Sequence, residues 1–531
     1  MMLRTLLLFP LLLLSCSLLA QEPFEWLSCG SPSHKSAWLK DYQADPSQYA
    51  PLLQAKSNSI QYVGLTIHQV FRDDSTGSIP IDHIFQSVCQ LNTDFSATGI
   101  QFYVEPPISK IYDSDFYAHD SVAQGGQKML QYNRDSSLNV YFVASAAAGN
   151  CGYNLPYAGV AMSNSCLTGH TFAHELGHAL GLPHTFIGWE GGQSWNASPQ
   201  TSFSQPAPTT VTINYTDFKD QPYPDTLIID TLLVEKVPRT GPNANCGIAA
   251  DGFCDTPADY LAYRWACNAA NGASTVTQLD PDSVAFLSDG WYIMSYALSS
   301  CQVGFSQEQT QAMNTFLLTE RGHWIGQPLS TDSITAMSTL ISPAQNAIIP
   351  AEYPIFRWTA VEGATAYLFQ LYREPMGGGQ LLEELLVTDT FFQTNRILTP
   401  RIDIFPYSWR VKPLHYNYFC AGYGPSQQFN TNAPTAVIST EVSDLNSWQM
   451  APNPLPKGQP LQILWTLADE KIGQWRIFNA QGQLIWEQVA QLQAGSGRYQ
   501  LQLPTDWASG SYFLQFRSKT GEMQGKLFII K

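Results

Sequence analysis

Apolar and polar positions along the 531-residue chain fall into four blocks with different rhythms. Residues 21 to about 56 are polar and short of any core pattern. From "IQYVGLTIHQVF" (60–71) the pattern is that of a strand, and in "PIDHIFQSVCQLNTDF" Ile81, Ile84, Phe85 and Val88 recur at helical spacing. "GIQFYVEP" and "LNVYFVAS" read as further strands, which makes this an α/β block. Its second half is looser. An inserted β-ribbon is expected within about 187–245, residues 268–290 carry no period, and a closing helix opens at Ser306, with Gln309 completing a capping box ahead of Met313, Phe316 and Leu317. The block ends near 330.

Residues 331–432 change character: short aromatic-rich strands alternate with Gly/Pro turns, the pattern of a small β-sandwich. This stretch resembles a fibronectin type III-like domain, with Trp358 and Trp409 as core aromatics and Gly377 to Gly379 as a loop. After a Ser/Thr-rich linker (433–444), residues 445–531 hold Pro452-Asn453-Pro454, a strand pair turning around "NAQGQLIW", the Gly510-Ser511-Tyr512 step and a terminal apolar strand. Together these resemble the C-terminal sorting domain of the type IX secretion system, which implies that secretion machinery as a partner.

Charged residues are 13% of the chain and aromatics 12%, a balance suited to β-rich extracellular modules. The net charge of -16 argues against a nucleic-acid partner, since no basic surface is there to displace phosphate counterions. "MMLRTLLLFPLLLLSCSLLAQ" reads as a secretory signal peptide (1–20) cut after Ala20. Cleavage before Cys16, giving a lipid anchor, fits less well because the apolar run continues past it. No later segment reaches transmembrane length. In an oxidising compartment the mature cysteines, Cys29, Cys89, Cys151, Cys166, Cys246, Cys254, Cys267, Cys301 and Cys420, should mostly pair. Their odd number leaves at least one thiol over, and proximity favours only Cys151 with Cys166.

The chemistry is concentrated in "TFAHELGHALGLPHTF" (171–186). His174 and His178 lie four apart, so on a helix both imidazoles leave one face and can share one ion at about 2.0–2.1 Å. Glu175 sits beside the first ligand and is placed to act on water as a base. Gly181 allows the helix to end in a left-handed turn that brings His184 back to the same ion. Three histidines leave a fourth position open, as catalytic zinc requires.

The long form "HELGHALGLPH" together with "WYIMSYALSSC" (291–301) resembles the metzincin metalloproteases. That resemblance implies Met294 as an apolar floor beneath the histidines and Tyr296 as a donor to the developing oxyanion. "GPNANCGIAADGFCDTPAD", "YIMSYALSSCQVGFSQEQ" and "QLNTDF" narrow it to the pappalysin family over about 60–325. It implies a twisted mixed sheet with an active-site helix, and disulfides among Cys246, Cys254, Cys267 and Cys301 with connectivity open. Asp251, Asp255 and Asp259 read either as a structural calcium (Ca2+) site or as a solvated acidic turn. Unlike some pappalysins, this chain has no acid in residues 297–300, so a preference for basic side chains does not carry over. His170, His68, His83, His119, His323 and His415 have no ligand spacing, and the Asn196 and Asn214 sequons are expected to stay unused.

The expected protein is thus multidomain: signal peptide, prosegment (21–57), α/β metzincin-like catalytic domain (58–330), and two small β-sandwich domains, the second being the sorting domain. Its expected function is that of a secreted zinc endopeptidase acting on protein or peptide substrates; a zinc-binding adhesin scaffold is the alternative. Cys29, in "WLSCGSPSHK", reads either as a latency switch that occupies the open zinc position or as a disulfide partner of Cys89 or Cys420.

Overall fold

The computed structural model describes residues 29–31, 34–56, 59–190, 203–217, 226–327, 333–374, 379–399, 406–432, 445–451, 455–467, 469–479, 483–518 and 523–530. The expected signal peptide, Asn196 and Pro452-Asn453-Pro454 lie outside them. The chain divides into two compact units, Met1–Asn432 and Ala433–Lys531.

The first unit opens with helices α1 (Ala37–Ala44) and α2 (Ala50–Lys56). The strands β1 (Gln61–Phe71), β2 (Ile100–Tyr112), β3 (Leu138–Val143), β4 (Gly152–Leu155) and β5 (Gly159–Ser163) form a mixed sheet in the order β2-β1-β3-β5-β4. All neighbours are parallel except β4, which runs antiparallel to β5 at the edge. Helix α3 (Ile81–Asp94) and the short α4 (Ser114–Tyr117) and α5 (Val122–Leu130) precede α6 (Thr171–Ala179). Ile84, Phe85 and Val88 of α3 and Phe172, Ala173 and Leu176 of α6 enter one core with Val63, Leu65 and Val140 of the sheet. The inserted ribbon is β6 (Thr210–Asp217) paired with β7 (Thr226–Leu233), and the aperiodic stretch holds only β8 (Gln278–Leu279) and β9 (Ala285–Phe286). The closing helix α7 (Gln307–Thr319) carries the Ser306/Gln309 capping box in full.

Residues 340–432 form a sandwich. One sheet contains β10 (Leu340–Ser342), β12 (Ile355–Trp358) and β15 (Phe391–Gln393); the other contains β11 (Ala347–Pro350), β13 (Ala366–Arg373), β14 (Gln380–Val387), β16 (Tyr407–Leu414) and β17 (Gln427–Asn432). Trp358 and Trp409 are buried between them. The sandwich is not a detached bead. Ala366, Leu368, Leu414 and Phe419 belong to the same core as α3 and α6, and Cys89 of α3 is disulfide-bonded to Cys420. Lys412 of β16 ion-pairs with Asp82 of α3, each side chain only 4% exposed. The Glu384 carboxylate of β14 accepts from the Ile81 and Asp82 N–H groups, capping a helix whose own N-cap, Pro80, offers no side-chain acceptor.

The N-terminal segment also departs from its polar reading. Leu39 and Tyr42 of α1 join that core, and Trp38 packs edge-on against Phe316 of α7 with ring centroids 4.9 Å apart. Two or three apolar positions on an eight-residue helix are too few to register as a period, yet they bury well where a partner helix supplies the other half of the contact.

The second unit has its own core, with Trp475 and Ile477 at its centre. Strands β18 (Leu445–Ala451), β19 (Leu461–Leu467) and β22 (Gly495–Leu501) form one sheet; β20 (Lys471–Phe478), β21 (Leu484–Leu492), β23 (Gly510–Ser518) and β24 (Met523–Ile530) form the other.

Candidate metal centre

On α6, Phe172, Ala173 and Leu176 turn into the core, leaving His174 and His178 together on another face. The helix stops as the sequence expects: Gly181 takes φ +89°, its N–H donates to His178 O (3.0 Å), and the Leu182 N–H donates to Gly177 O (3.0 Å). This is a Schellman closure. The chain then reverses, and His184 faces the other two histidines. The three Nε2 atoms lie 3.1–3.2 Å apart.

Each Nδ1 is engaged: His174 with Ile293 O, His178 with Leu182 O and His184 with Glu190 Oε1, all at 2.8 Å. A carbonyl oxygen can only accept, so Nδ1 of His174 and of His178 carries the proton and their Nε2 atoms present lone pairs. Burial, then the neighbouring histidines, hold the His174 and His178 imidazoles well below their ordinary value and therefore neutral. Converging lone pairs repel unless a cation lies between them, and nitrogens at about 2.0 Å from a tetrahedral zinc would stand about 3.3 Å apart. The donor set fits zinc.

Glycines let the surroundings come close. A Cβ at Gly177 would stand 2.5 Å from the Met294 sulfur, so the glycine lets that side chain lie close against α6. A Cβ at Gly152 would meet Glu175 Cγ at 2.8 Å, so β4 can pass directly over the glutamate. Tyr296 stands 5.2 Å from the His184 ring and 6.1 Å from the His174 ring, and Phe186 stacks on His184 at 4.5 Å.

Glu175 is fully buried. Its Oε2 accepts from Ser31 Oγ (3.0 Å) and the Cys29 thiol (3.4 Å), while Oε1 has no hydrogen-bond partner among the described residues. Burial pushes its carboxyl up to about 7. A buried carboxylate with one oxygen left open beside the histidines is placed to exchange a proton with whatever occupies that space.

The fourth corner is Cys29. Its sulfur and one nitrogen from each of His174, His178 and His184 all lie within 4.8 Å of one another, the one such group of potential metal ligands among the described residues. Cys29 is also the one unpaired cysteine there, since the others form Cys89–Cys420, Cys151–Cys166, Cys246–Cys254 and Cys267–Cys301. Burial, then the Glu175 carboxylate, raise its thiol well above the ordinary value, so a thiolate there requires a cation between the histidines. The segment is held as an added strand. Cys29 bridges Gly152 in parallel, the Gly30 N–H donates to Gly152 O (2.8 Å), Asn154 N–H donates to Ser31 Oγ (2.9 Å) and Cys29 N–H donates to the Tyr296 hydroxyl (3.1 Å). Farther along, His34 stacks on Tyr215 of the ribbon at 4.4 Å, Lys40 pairs with Asp230, and Gln43 donates to Asp251 O (2.7 Å).

The acidic cluster is not brought together. Asp251 is tied to Thr256 and Phe253 N, Asp259 to Thr185 and Ser288, and Asp255 to the Glu308 N–H at the start of α7. Asp251 and Asp259 are buried, so they form no solvated turn either; they tie loop residues to one another, and Asp255 alone reaches a helix. His170 contacts Asp94 at 2.9 Å, and His68 is buried against Tyr141 and Asn139. Sequence alone does not single out Glu190, Ser31 or Gly152, because no motif spacing links them to the histidines, and Phe186 reads there as one more apolar position.

Residues 449–531 match the family described as the secretion system C-terminal sorting domain. The protein therefore carries a type IX sorting tail and is extracellular or at the cell surface. Among the described residues no helix is long and apolar enough to cross a membrane. The chain is distantly homologous to proteins named extracellular metalloprotease: one from Arthroderma gypseum is 28% identical over 189 residues, covering 31% of this chain and 61% of that one. Another, from Pyricularia oryzae, is 29% identical over 138 residues, covering 22% and 48%. The chain thus spans about half to three-fifths of the length of these relatives. A crystal structure of chicken CNTN1 FN1–FN3 domains is similar at 9% identity over 36% of this chain and 64% of that one, with a TM-score of 0.14, too low to set the fold.

Deleting residues 445–531, a region with its own core, should leave the first unit folded while stopping delivery across the outer membrane. Fractionation of cells expressing the truncated chain reads this out; normal amounts in the medium would overturn it.

Proposed function

We propose that this chain is the latent precursor of a secreted zinc endopeptidase of the metzincin type, closest to the pappalysins, with residues 21–57 as prosegment and 58–330 as the catalytic region. The observation that carries the reading is the convergence of three imidazole Nε2 atoms beside a buried glutamate with one unpartnered oxygen. His174, His178 and His184 would hold a zinc ion, which would supply Lewis acidity for the hydrolysis. Glu175 is placed to take a proton from the attacking water and pass it to the leaving amine; the Tyr296 hydroxyl, which here meets the Cys29 N–H, is placed to donate to the oxygen of the attacked carbonyl. The free edge of β4 offers backbone groups to an extended peptide, as it does to residues 29–31. A scaffold that only bound zinc would have no use for Glu175, whose burial without a full set of partners is costly.

Cys29 holds the precursor silent by filling the fourth position and the β4 edge at once. Untrimmed wild-type protein should hydrolyse casein poorly, trimming between Cys29 and residue 58 should raise the rate at least tenfold, and Cys29→Ala should raise it before trimming. Phenanthroline should abolish each of these rates. Trimmed protein without chelator-sensitive hydrolysis overturns the peptidase reading; equal rates before and after trimming overturn latency alone.

A further inference from the structure

The inserted ribbon reaches from the metal centre out to the N-terminal segment. At its root Val211 and Leu232 share one core with Tyr296 and with Phe186, the ring that stacks on His184. Gly188, at φ +102°, makes room for this contact, since a Cβ there would stand 2.8 Å from Val211. Along β6 alternate side chains leave one face: Val211 and Ile213 are buried, while Thr212 and Asn214 are exposed. Tyr215 is the next residue on the buried face, about 13 Å beyond Val211. Its ring meets the His34 imidazole face to face, with centroids 4.4 Å apart and planes 4° from parallel. A second tie, Lys40 to Asp230 of β7, holds the N-terminal segment against the same ribbon.

His34 also lines a cavity of about 190 Å³. Its floor belongs to the catalytic region: His178, Ala179 and Leu182 at the end of α6, Pro156 just beyond β4, and Phe316 of α7. No carboxylate lines it among the described residues. Loss of the segment that carries Cys29 and His34 uncovers the face of Tyr215 that His34 now covers, and adds the space of the imidazole to the cavity. What remains is a slot beside the metal centre, with an aromatic ring on one wall and an apolar floor. A peptide laid on the β4 edge, where residues 29–31 lie now, brings a side chain to this place. A guanidinium or ammonium would lose water there without gaining a counter-ion, and an aliphatic side chain would forgo the contact of ring on ring. A flat apolar ring gains both the floor and the wall.

We propose that Tyr215 is a specificity-determining residue that selects peptides with an aromatic side chain about two to four residues from the scissile bond, and that His34 occupies this subsite in the precursor. This rests on the peptidase reading above.

Two measurements test it, both on protein trimmed between His34 and residue 58. A proteome-derived peptide library is digested with wild type, Tyr215→Phe and Tyr215→Ala. In parallel, on a Glu175→Ala background that binds without cutting, dissociation constants are measured for three synthetic peptides of residues 29–38: the natural sequence, His34→Phe and His34→Ala. Wild type should enrich aromatic residues about threefold to tenfold at one position, the scale of a single stacked ring pair. Tyr215→Phe should keep that enrichment and Tyr215→Ala should lose it. The His34→Ala peptide should bind about threefold to tenfold more weakly than the other two, and all three should bind alike once Tyr215→Ala is added. The peptide changes leave the protein itself untouched, so a loss there cannot come from misfolding. No aromatic enrichment in wild type, enrichment that survives Tyr215→Ala, or equal binding of the three peptides overturns the proposal. No cleavage by wild type with the binding difference intact overturns the peptidase reading and leaves the role of Tyr215 standing.

Discussion

Glu175→Ala should retain one zinc ion per chain and lose peptide hydrolysis by a factor on the order of 10²–10⁴, the usual worth of a positioned general base. The two effects separate because Glu175 makes no contact with the histidine nitrogens that gather at the centre; its partners are Ser31 and Cys29. Folding should not suffer, since the substitution removes a fully buried carboxylate that has an unpartnered oxygen. Zinc content by mass spectrometry, cleavage of a quenched peptide and the melting temperature, measured on one preparation, check all three. A variant that cuts at the wild-type rate would remove Glu175 from the mechanism, and one that loses its zinc would make it a ligand.

The second large effect lies far from the metal. Lys412→Ala should destabilise the first unit by about 3–5 kcal/mol, because it leaves Asp82 charged and buried without its partner. Asp82→Ala should cost about as much, and the double substitution less than the sum of the two. Denaturant unfolding of the four proteins, with the disulfides intact, supplies the cycle. Additive losses would show that the two charges do not depend on each other. Reducing Cys89–Cys420 should add to either loss, since a link closing 331 residues restricts the unfolded chain by an amount on the order of 5 kcal/mol.

The histidine cluster was legible because His174, Glu175, His178 and His184 are packed into eleven residues, where helical geometry converts spacing directly into direction: His174 and His178 share a face, and Gly181 reverses the chain for His184. The same holds for the Ser306/Gln309 box and for the tryptophans of the sandwich, which are local signals. Contacts between distant segments were not legible. Nothing in "DGFCDTPAD" says that its aspartates will be spent on Thr256, Ser288 and the start of α7 instead of meeting one another. Nothing around Glu384 announces that it caps a helix three hundred residues earlier. Pairing within 331–432 could be inferred from alternation, but the outward face of that sheet looks the same whether it meets water or α3. Cys29 lay between these cases: cysteine parity made it a candidate for the leftover thiol, and only the fold carries it to the histidines.

The bond from α3 to the sandwich also sets an order of events. Asp82 and Cys89 emerge early in synthesis, and their partners Lys412 and Cys420 only some 330 residues later. Closure over such a distance is slow, and until it happens the first turn of α3 has neither its cap nor its counter-charge. Since α6 shares its core with α3, the helix that carries His174 and His178 rests on a support completed last. Chains broken between residues 186 and 412 keep the whole H-E-x-x-H motif but lose both ties from α3 to the sandwich. Fragments of this kind should therefore carry the three histidines without the support that holds them together.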